Sequence, residues 1–279
     1  MQTIAVRVPA STSNLGPGFD CLGVALRIYN RLTVSRTQKR EPLPSIAGKA
    51  ADLFFQRTKR SRFRFSCSAS DEIPRSRGLG SSATIRLGLL HGLNALSGRP
   101  LDRLSIFRLC AELEGHPDNA APSSFGGFTV ARGENVQRFE VGSRLKFVLL
   151  IPNFEIRTTA ARKILPAKIS RVAGAESSRN ASWITAAFAA SDYEKLRGAF
   201  VDQLHQPFRA KLIPFLSRVI TAAENAGALG AFLSGSGSTM CAVALRDPRK
   251  VGAAMQRAAK CRSQIIITTA DNRGVQIGN

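Results

Sequence analysis

The chain has 279 residues, 44% of them apolar, and carries 40 Lys and Arg against 19 Asp and Glu, a formal charge of +21. That length holds one large domain or two smaller ones, and the apolar share is that of a globular protein without low-complexity tracts or internal repeats. No apolar run reaches membrane-spanning length, and five scattered cysteines without a C-x-x-C pair exclude a disulfide framework or a cysteine-based zinc site. Reduced thiols of this kind suit a cytoplasmic protein.

The charge is dispersed. Its densest stretch, residues 57–64, mixes Arg and Lys with Phe63 and alternates like the solvated face of a strand. Such a surface steers small anions such as ATP. Nucleic-acid binding is the competing reading of the same charge.

In chain order, residues 3–8 place Ile4, Val6 and Val8 on one face and read as a strand, not as a signal or transit peptide. Residues 11–23 form a Gly/Pro/Asn loop. Its Asn14 offers donors and acceptors and its Asp20 attracts an ammonium, which suits a small zwitterion; equally, both side chains cap backbone in ordinary turns. Residues 22–34 return to a strand pattern. Residues 35–50, with Pro42 and Pro44, read as a polar surface connection, and residues 62–67 as another strand.

The most informative stretch follows: Pro74, Arg75, Ser76, Arg77, Gly78, Leu79, Gly80, Ser81, Ser82, Ala83 and Thr84. This Gly/Ser loop enters an amphipathic helix that carries Leu89, Leu93 and Leu96 and stops at Gly98 and Pro100. Gly78 and Gly80 permit a tight turn and close approach of a ligand, and the unpaired N–H groups of the helix start favour a bound anion such as phosphate. Alone, the segment reads equally as a glycine turn with a serine N-cap.

Residues 101–114 form a second helix, with Asp102 near its start and Gly115 beyond its end. Helical spacing separates its two glutamates. Glu114 falls near the direction of Phe107, on the apolar stripe; Glu112 points away, one turn after Arg108, and pairs with it at the surface. A carboxylate on an apolar face needs a partner, and either Mg²⁺ or an arginine serves. His116, before Pro117, reads as a turn residue or a site group.

Residues 125–131 are extended and residues 146–152 form an apolar strand. Residues 159–200 are mostly helical, and a further helix after Pro214 stops at Gly227. Strands at 228–233 and 239–245 flank the glycine turn 234–238, followed by a helix at 249–259 and a strand at 264–269. Apart from the extra helices this half reads β-α-β-β-α-β. Two α+β domains are expected, residues 1–150 and 151–279. Arg162 and Arg209 are candidates for a carboxylate clamp, though one arginine in so basic a chain reads equally as solvated surface. P-loop, protein-kinase, hydrolase-elbow and zinc-protease motifs are missing from the sequence.

Taken together and in order, six segments resemble the GHMP small-molecule kinases, and within them the branch that phosphorylates homoserine. They are VPASTSNLGPGFDCLGVAL (residues 8–26), PRSRGLGSSAT (74–84), EGHPDNAAP (114–122), TTAARKILP (158–166), HQPFR (205–209) and LSGSGST (233–239). The resemblance implies a ribosomal-S5-like N-terminal domain and a ferredoxin-like C-terminal domain, with the active site between them. It implies phosphoryl transfer from MgATP to the side-chain hydroxyl of L-homoserine, a step of threonine biosynthesis. Residues 74–84 would bind ATP, with 78–82 around the phosphates and Ser82 and Glu114 near Mg²⁺. Asn14, Asp20, His116, Thr158, Arg162 and Arg209 would line the amino-acid site. Asn119 would orient the attacking hydroxyl; with Glu114 and Arg209 it forms the expected catalytic set, without a dedicated carboxylate base. A homodimer is compatible with the family, and neither a membrane nor a specific nucleic acid is an expected partner.

Gln206 stands where the family usually has Glu, and Ser236 and Ser238 replace the usual Ala and Pro. The alternatives are another GHMP kinase with a mevalonate-type or sugar substrate, a basic nucleic-acid-binding protein on an S5-like fold, and a catalytically dead ligand sensor.

Overall fold

The computed structural model describes residues 2–39, 42–70 and 72–278. Its first sheet is built on a long antiparallel hairpin, β1 (Thr3–Ser13) and β2 (Leu22–Arg36), with a register shift between Pro9 and Ala10. The β1 strand therefore runs three residues into the stretch expected to be loop, and only the turn after Ser13 is irregular. Helix α1 (Ser45–Thr58) follows, then β3 (Phe65–Ala69) on the far end of β2. Helices α2 (Ser81–Leu96), α3 (Arg103–Glu114) and α4 (Ala120–Phe125) come next, and the hairpin β4 (Phe128–Arg132) and β5 (Asn135–Phe139) extends the sheet.

Helices α1 to α4 cover one face of this sheet. Leu87, Leu90 and Leu93 of α2 meet Val6, Val8, Leu32 and Val34, with Phe54 and Phe107 behind them. At roughly 1.5–3 kcal/mol for each fully buried large apolar side chain, this packing is what holds α2, and the loop before it, in place.

Two local expectations are corrected here. Residues 45–50 are not a surface connection but the start of α1, whose Ala47, Ala50, Ala51, Phe54 and Phe55 are buried. Residues 57–64 are not a strand face. Arg57 lies in the last turn of α1, which ends at Thr58, Lys59 takes a left-handed turn, and the chain is irregular until Phe65.

The second sheet contains β6 (Lys146–Pro152), β7 (Gly230–Leu233), β8 (Met240–Ala244) and β9 (Ser263–Thr268), all antiparallel in the order β7-β8-β6-β9. Helices α8 (Leu216–Asn225) and α9 (Pro248–Ala259) pack on it. This is the split β-α-β arrangement expected from the sequence. Between β6 and α8 lie α5 (Thr158–Lys163), α6 (Arg171–Ala189) and the short α7 (Gln206–Arg209).

The strand β6 crosses residue 150 and pairs only within the second sheet, while the last strand, β10 (Gln276–Gly278), returns to β1. A shared core joins the halves: Leu22, Leu26 and Phe128 of the first sheet contact a cluster with Phe147, Phe188 and Phe232, and Phe128 stacks on Phe188 at 4.2 Å between ring centroids.

Candidate active site

The glycine loop enters α2 through Gly80, which caps the helix at φ +69°. A Cβ there would lie 2.2 Å from Ser11 Oγ, and one at Gly78 (φ +75°) would lie 2.1 Å from the Ser234 carbonyl oxygen. Both positions thus require glycine for conformation and for space. No side chain caps the first turn of α2, so the serine-cap reading of this loop does not hold. The helix start is instead left open toward a cleft lined by residues 76–82, with the positive end of the dipole beside it.

The loop is braced from the opposite half of the chain. Ser234 Oγ donates to the Gly78 carbonyl at 2.7 Å, the Gly235 amide to the Ser13 carbonyl at 3.1 Å, and the Thr239 amide to the Arg77 carbonyl at 3.1 Å. The turn between β7 and β8 is therefore one wall of the cleft rather than a plain hairpin connection.

The glutamates differ as their helical directions require. Glu114 is 9% exposed and Glu112 48%. Glu114 Oε1 accepts from Ser82 Oγ and from Arg86 Nη1. Among the described residues its partner is thus an arginine as well as the loop serine. The expected surface pair between Arg108 and Glu112 is absent: Glu112 bonds Arg57 at 2.8 and 2.9 Å, and Arg108 lies 3.3 Å from Glu134. A folded-over α1 brings Arg57 across the helix, which sequence separation hides.

The other wall collects the polar groups of the N-terminal turn. Asn14 and Asp20 both have positive φ, and Asn14 Oδ1 accepts the Asp20 amide at 3.0 Å while Nδ2 donates to the Gly235 carbonyl at 3.2 Å. Asp20 makes a two-point ion pair with Arg162 of α5, at 2.5 and 3.0 Å. That pair raises the Arg162 pKa against the opposing effect of burial.

Arg209 is 2% exposed, and its described hydrogen bonds go to neutral acceptors: the carbonyls of Ala161 (3.2 Å) and Gly235 (2.9 Å) and His205 Nδ1 (3.2 Å). Burial lowers its pKa to about 10, so it remains charged at neutral pH. His205 is pushed down to about 4, chiefly by burial, and is neutral. Its Nε2–H donates to the Gly16 carbonyl at 2.9 Å, which leaves Nδ1 as the acceptor Arg209 needs. Phe19 lies under both arginines, 5.3 Å from each guanidinium carbon.

Asn119 links the two walls. Its Oδ1 accepts from Ser11 Oγ at 2.9 Å, and its Nδ2 donates to Ser13 Oγ at 3.0 Å and to Asp118 Oδ1 at 3.3 Å. Asp118 also bonds His116 Nδ1 at 2.7 Å. Burial raises the Asp118 pKa, but bonding and attraction to His116 outweigh it and hold the carboxylate below 3.8. Burial likewise lowers His116, and Asp118 outweighs it, leaving the imidazole above 6.5.

One cleft therefore contains Asn14, Asp20, residues 76–82, Glu114, His116, Asn119, Thr158, Arg162 and Arg209. Pro74, Arg75, Ala83 and Thr84 lie off its wall; Ala83 joins the helical core, and Thr84 is buried and bonds Asn30. Asp118, Ser13 and Gly235 also line the cleft, and Phe19 and His205 support it. Asp118 was legible only as a polar residue two positions after His116; nothing local marked Phe19 or His205. Gln206 is buried, and its Oε1 accepts the Leu233 amide at 2.6 Å, a bond a neutral amide makes without burying a charge.

The cleft's donors are oxygens of Ser82 and Glu114, hard ligands that suit Mg²⁺ together with phosphate and water. No group of three or more His, Cys, Asp or Glu side chains placed to hold a metal occurs among the described residues. No described helix is long and apolar enough to cross a membrane.

Comparison with known proteins identifies the family and the fold. Residues 45–127 match the GHMP kinases N terminal domain and residues 184–261 the GHMP kinases C terminal model. The chain is 38% identical over 270 residues to the homoserine kinase of Moorella thermoacetica, covering 91% of each chain. It is 34% identical to that of Microchaete diplosiphon, covering all of this chain and 96% of the relative. The crystal structure of homoserine kinase from Cytophaga hutchinsonii superposes with a TM-score of 0.90 at 25% identity, covering 99% of this chain and 98% of that one. Mevalonate kinase from Methanococcus jannaschii shares the fold at a TM-score of 0.73 and 16% identity, over 97% of this chain and 99% of that one.

Proposed function

The chain belongs to the GHMP kinase family, and from that premise we propose that it transfers the γ-phosphate of MgATP to the side-chain hydroxyl of L-homoserine. The product is O-phospho-L-homoserine, on the route to threonine, and the site of action is the cytoplasm. One observation carries this reading. An open helix start suited to phosphates shares a cleft with a negative group, Asp20, and two arginines, which together match the ammonium and carboxylate of an amino acid.

The phosphates rest on the N–H groups of residues 78–82 at the start of α2, where backbone donors and helix dipole act together. Ser82 and Glu114 would hold Mg²⁺ against the phosphate oxygens, and the cation supplies neutralisation of the charge that develops in transfer. The homoserine ammonium takes one Asp20 oxygen beside Arg162, and its carboxylate takes the buried guanidinium of Arg209. Arg209 is prepared for this: charged, desolvated, and held by neutral acceptors only. Its attraction for an anion is correspondingly strong.

Asn119, fixed by Ser11, Ser13 and Asp118, directs the hydroxyl toward the phosphate end of the cleft. Asp118 is a poor proton acceptor because His116, with help from Ser13 and the Arg162 charge, outweighs burial and stabilises its ionised form. Its role is to orient. Phosphoryl transfer needs little more, since positioning and charge stabilisation supply most of the acceleration.

The test is a panel of ATP turnover with homoserine, mevalonate, galactose and shikimate. Homoserine is expected to give a kcat/KM at least a hundred-fold above the others, because only it carries the ammonium that Asp20 meets. Preferential turnover of any other alcohol overturns the assignment.

A further inference from the structure

Glu114 shares one carboxylate oxygen between two donors, and the second of them is unexpected: Arg86, on α2 one turn beyond Ser82. Arg86 is nearly enclosed, with a side chain 15% exposed, and its Nε is buried without a hydrogen-bond partner. It does not line the cleft, whereas Ser82 and Glu114 do. The guanidinium thus approaches the carboxylate from the helix side, behind the surface that a ligand meets.

We propose that Arg86 is a built-in counter-cation for Glu114, which holds the carboxylate ready and keeps divalent cations from binding there before the nucleotide arrives. This rests on the reading of Ser82 and Glu114 as the Mg²⁺ side of a kinase cleft. A buried carboxylate without a partner is strained by lost solvation, and Arg86 removes that strain in the free protein. The same contact occupies a lone pair of Oε1 and leaves a fixed positive charge a few ångströms from any ion that would use it. Repulsion between that charge and a divalent ion lowers intrinsic affinity by at least about ten-fold even if solvent screens it nearly as well as bulk water. Triphosphate oxygens reverse the balance, because they bring several negative charges and most of the ligands Mg²⁺ prefers. Cation binding is thereby made conditional on nucleotide. Arg86 is a positioning residue, acting through Glu114 and touching neither substrate.

The test is direct binding of Mn²⁺ as a Mg²⁺ surrogate, followed by the loss of the free-ion electron paramagnetic resonance signal, on the full chain without nucleotide. Arg86→Met is expected to bind one Mn²⁺ at least ten-fold more tightly than the unsubstituted protein, and Arg86→Met/Glu114→Gln to lose that gain. Arg86→Gln, which keeps a hydrogen bond and the polar volume but not the charge, is expected to show most of the gain and serves if Arg86→Met fails to fold. Affinity equal to or weaker than that of the unsubstituted protein, in a variant whose circular dichroism is unchanged, overturns the proposal. So does a gain that survives loss of Glu114. A protein that shows these Mn²⁺ differences but turns over no homoserine would refute the substrate assignment and leave the role of Arg86 standing.

Discussion

Arg209 is the side chain whose environment says most about the substrate. A guanidinium this deeply buried, with only neutral acceptors, is poised for an anion from outside. A charge-assisted hydrogen bond contributes roughly 1.5–3 kcal/mol, so Arg209→Ala should lower kcat/KM for homoserine by about ten- to a hundred-fold. Nucleotide affinity, measured by calorimetry with a non-hydrolysable analogue, should change little. Arg209→Lys should recover only part, since an ammonium lacks the planar two-point contact. Intact homoserine kinetics in Arg209→Ala would remove the clamp. A second comparison isolates the cation side: Glu114→Gln should reduce activity far more than Glu112→Gln across a Mg²⁺ titration, because Glu112 pairs with Arg57 at the surface, away from the cleft. Equal losses would show that Glu114 is structural.

The His116–Asp118 pair makes a pH prediction. His116 lies above its usual 6.5, so its pairing is fully present below that pH and is lost as pH rises through the raised value. Asp118 lies below 3.8, so its contribution is present above 3.8 and disappears as pH falls through the depressed value. Both partners are charged between about pH 4 and somewhat above 6.5. In Asp118→Asn the imidazole keeps its burial and loses its counter-ion, and its titration, followed by NMR, should fall below 6.5. An unchanged His116 titration would show that the pair is not what sets it.

At the scale of elements, α2 and its loop form the unit on which the site depends, and Gly80 is its most sensitive point. An alanine there must hold φ near +69° and find room beside Ser11 Oγ. Left-handed backbone costs about 1–2 kcal/mol for a residue with a Cβ, and the displaced Ser11 would release Asn119 Oδ1. Gly80→Ala should therefore lose nucleotide affinity and kcat together, with a lowered midpoint of thermal unfolding. Unchanged nucleotide binding would contradict the loop's assigned role.

Elements with their own periodic signal were legible in sequence: α2 from its leucines, α3 from Asp102 and Gly115, β6 from its apolar run. Helix α1 was hidden because it follows Pro44 with no capping side chain, and its buried phenylalanines sit next to an arginine-rich tail. The short helix α4 and the strand β10 have too few residues to show a period. In the site, residues within contiguous motifs were legible. The roles of Arg86, Phe19 and His205 were not, although the last two lie inside motif segments, because their contacts cross 28, 143 or 190, and 189 residues of sequence respectively, and each motif says nothing about its neighbour in space.

At the scale of the whole molecule, the two sheets share a core and meet around the cleft, with the β7–β8 turn against the phosphate loop. The +21 charge acts on this body as a long-range field. MgATP carries net negative charge, so its KM should rise as monovalent salt increases from low to physiological levels, while kcat with saturating substrates changes little. Salt-independent KM would leave the charge without a part in nucleotide capture.

The central claim is that this cleft phosphorylates the side-chain hydroxyl of an amino acid. It is tested most directly by ³¹P NMR of the protein with MgATP and L-homoserine, with the product confirmed by mass spectrometry. The account predicts equimolar ADP and a phosphomonoester of homoserine, strongly diminished with Arg209→Ala. ATP consumption that yields only inorganic phosphate, or no consumption with homoserine while another alcohol is phosphorylated, would contradict it.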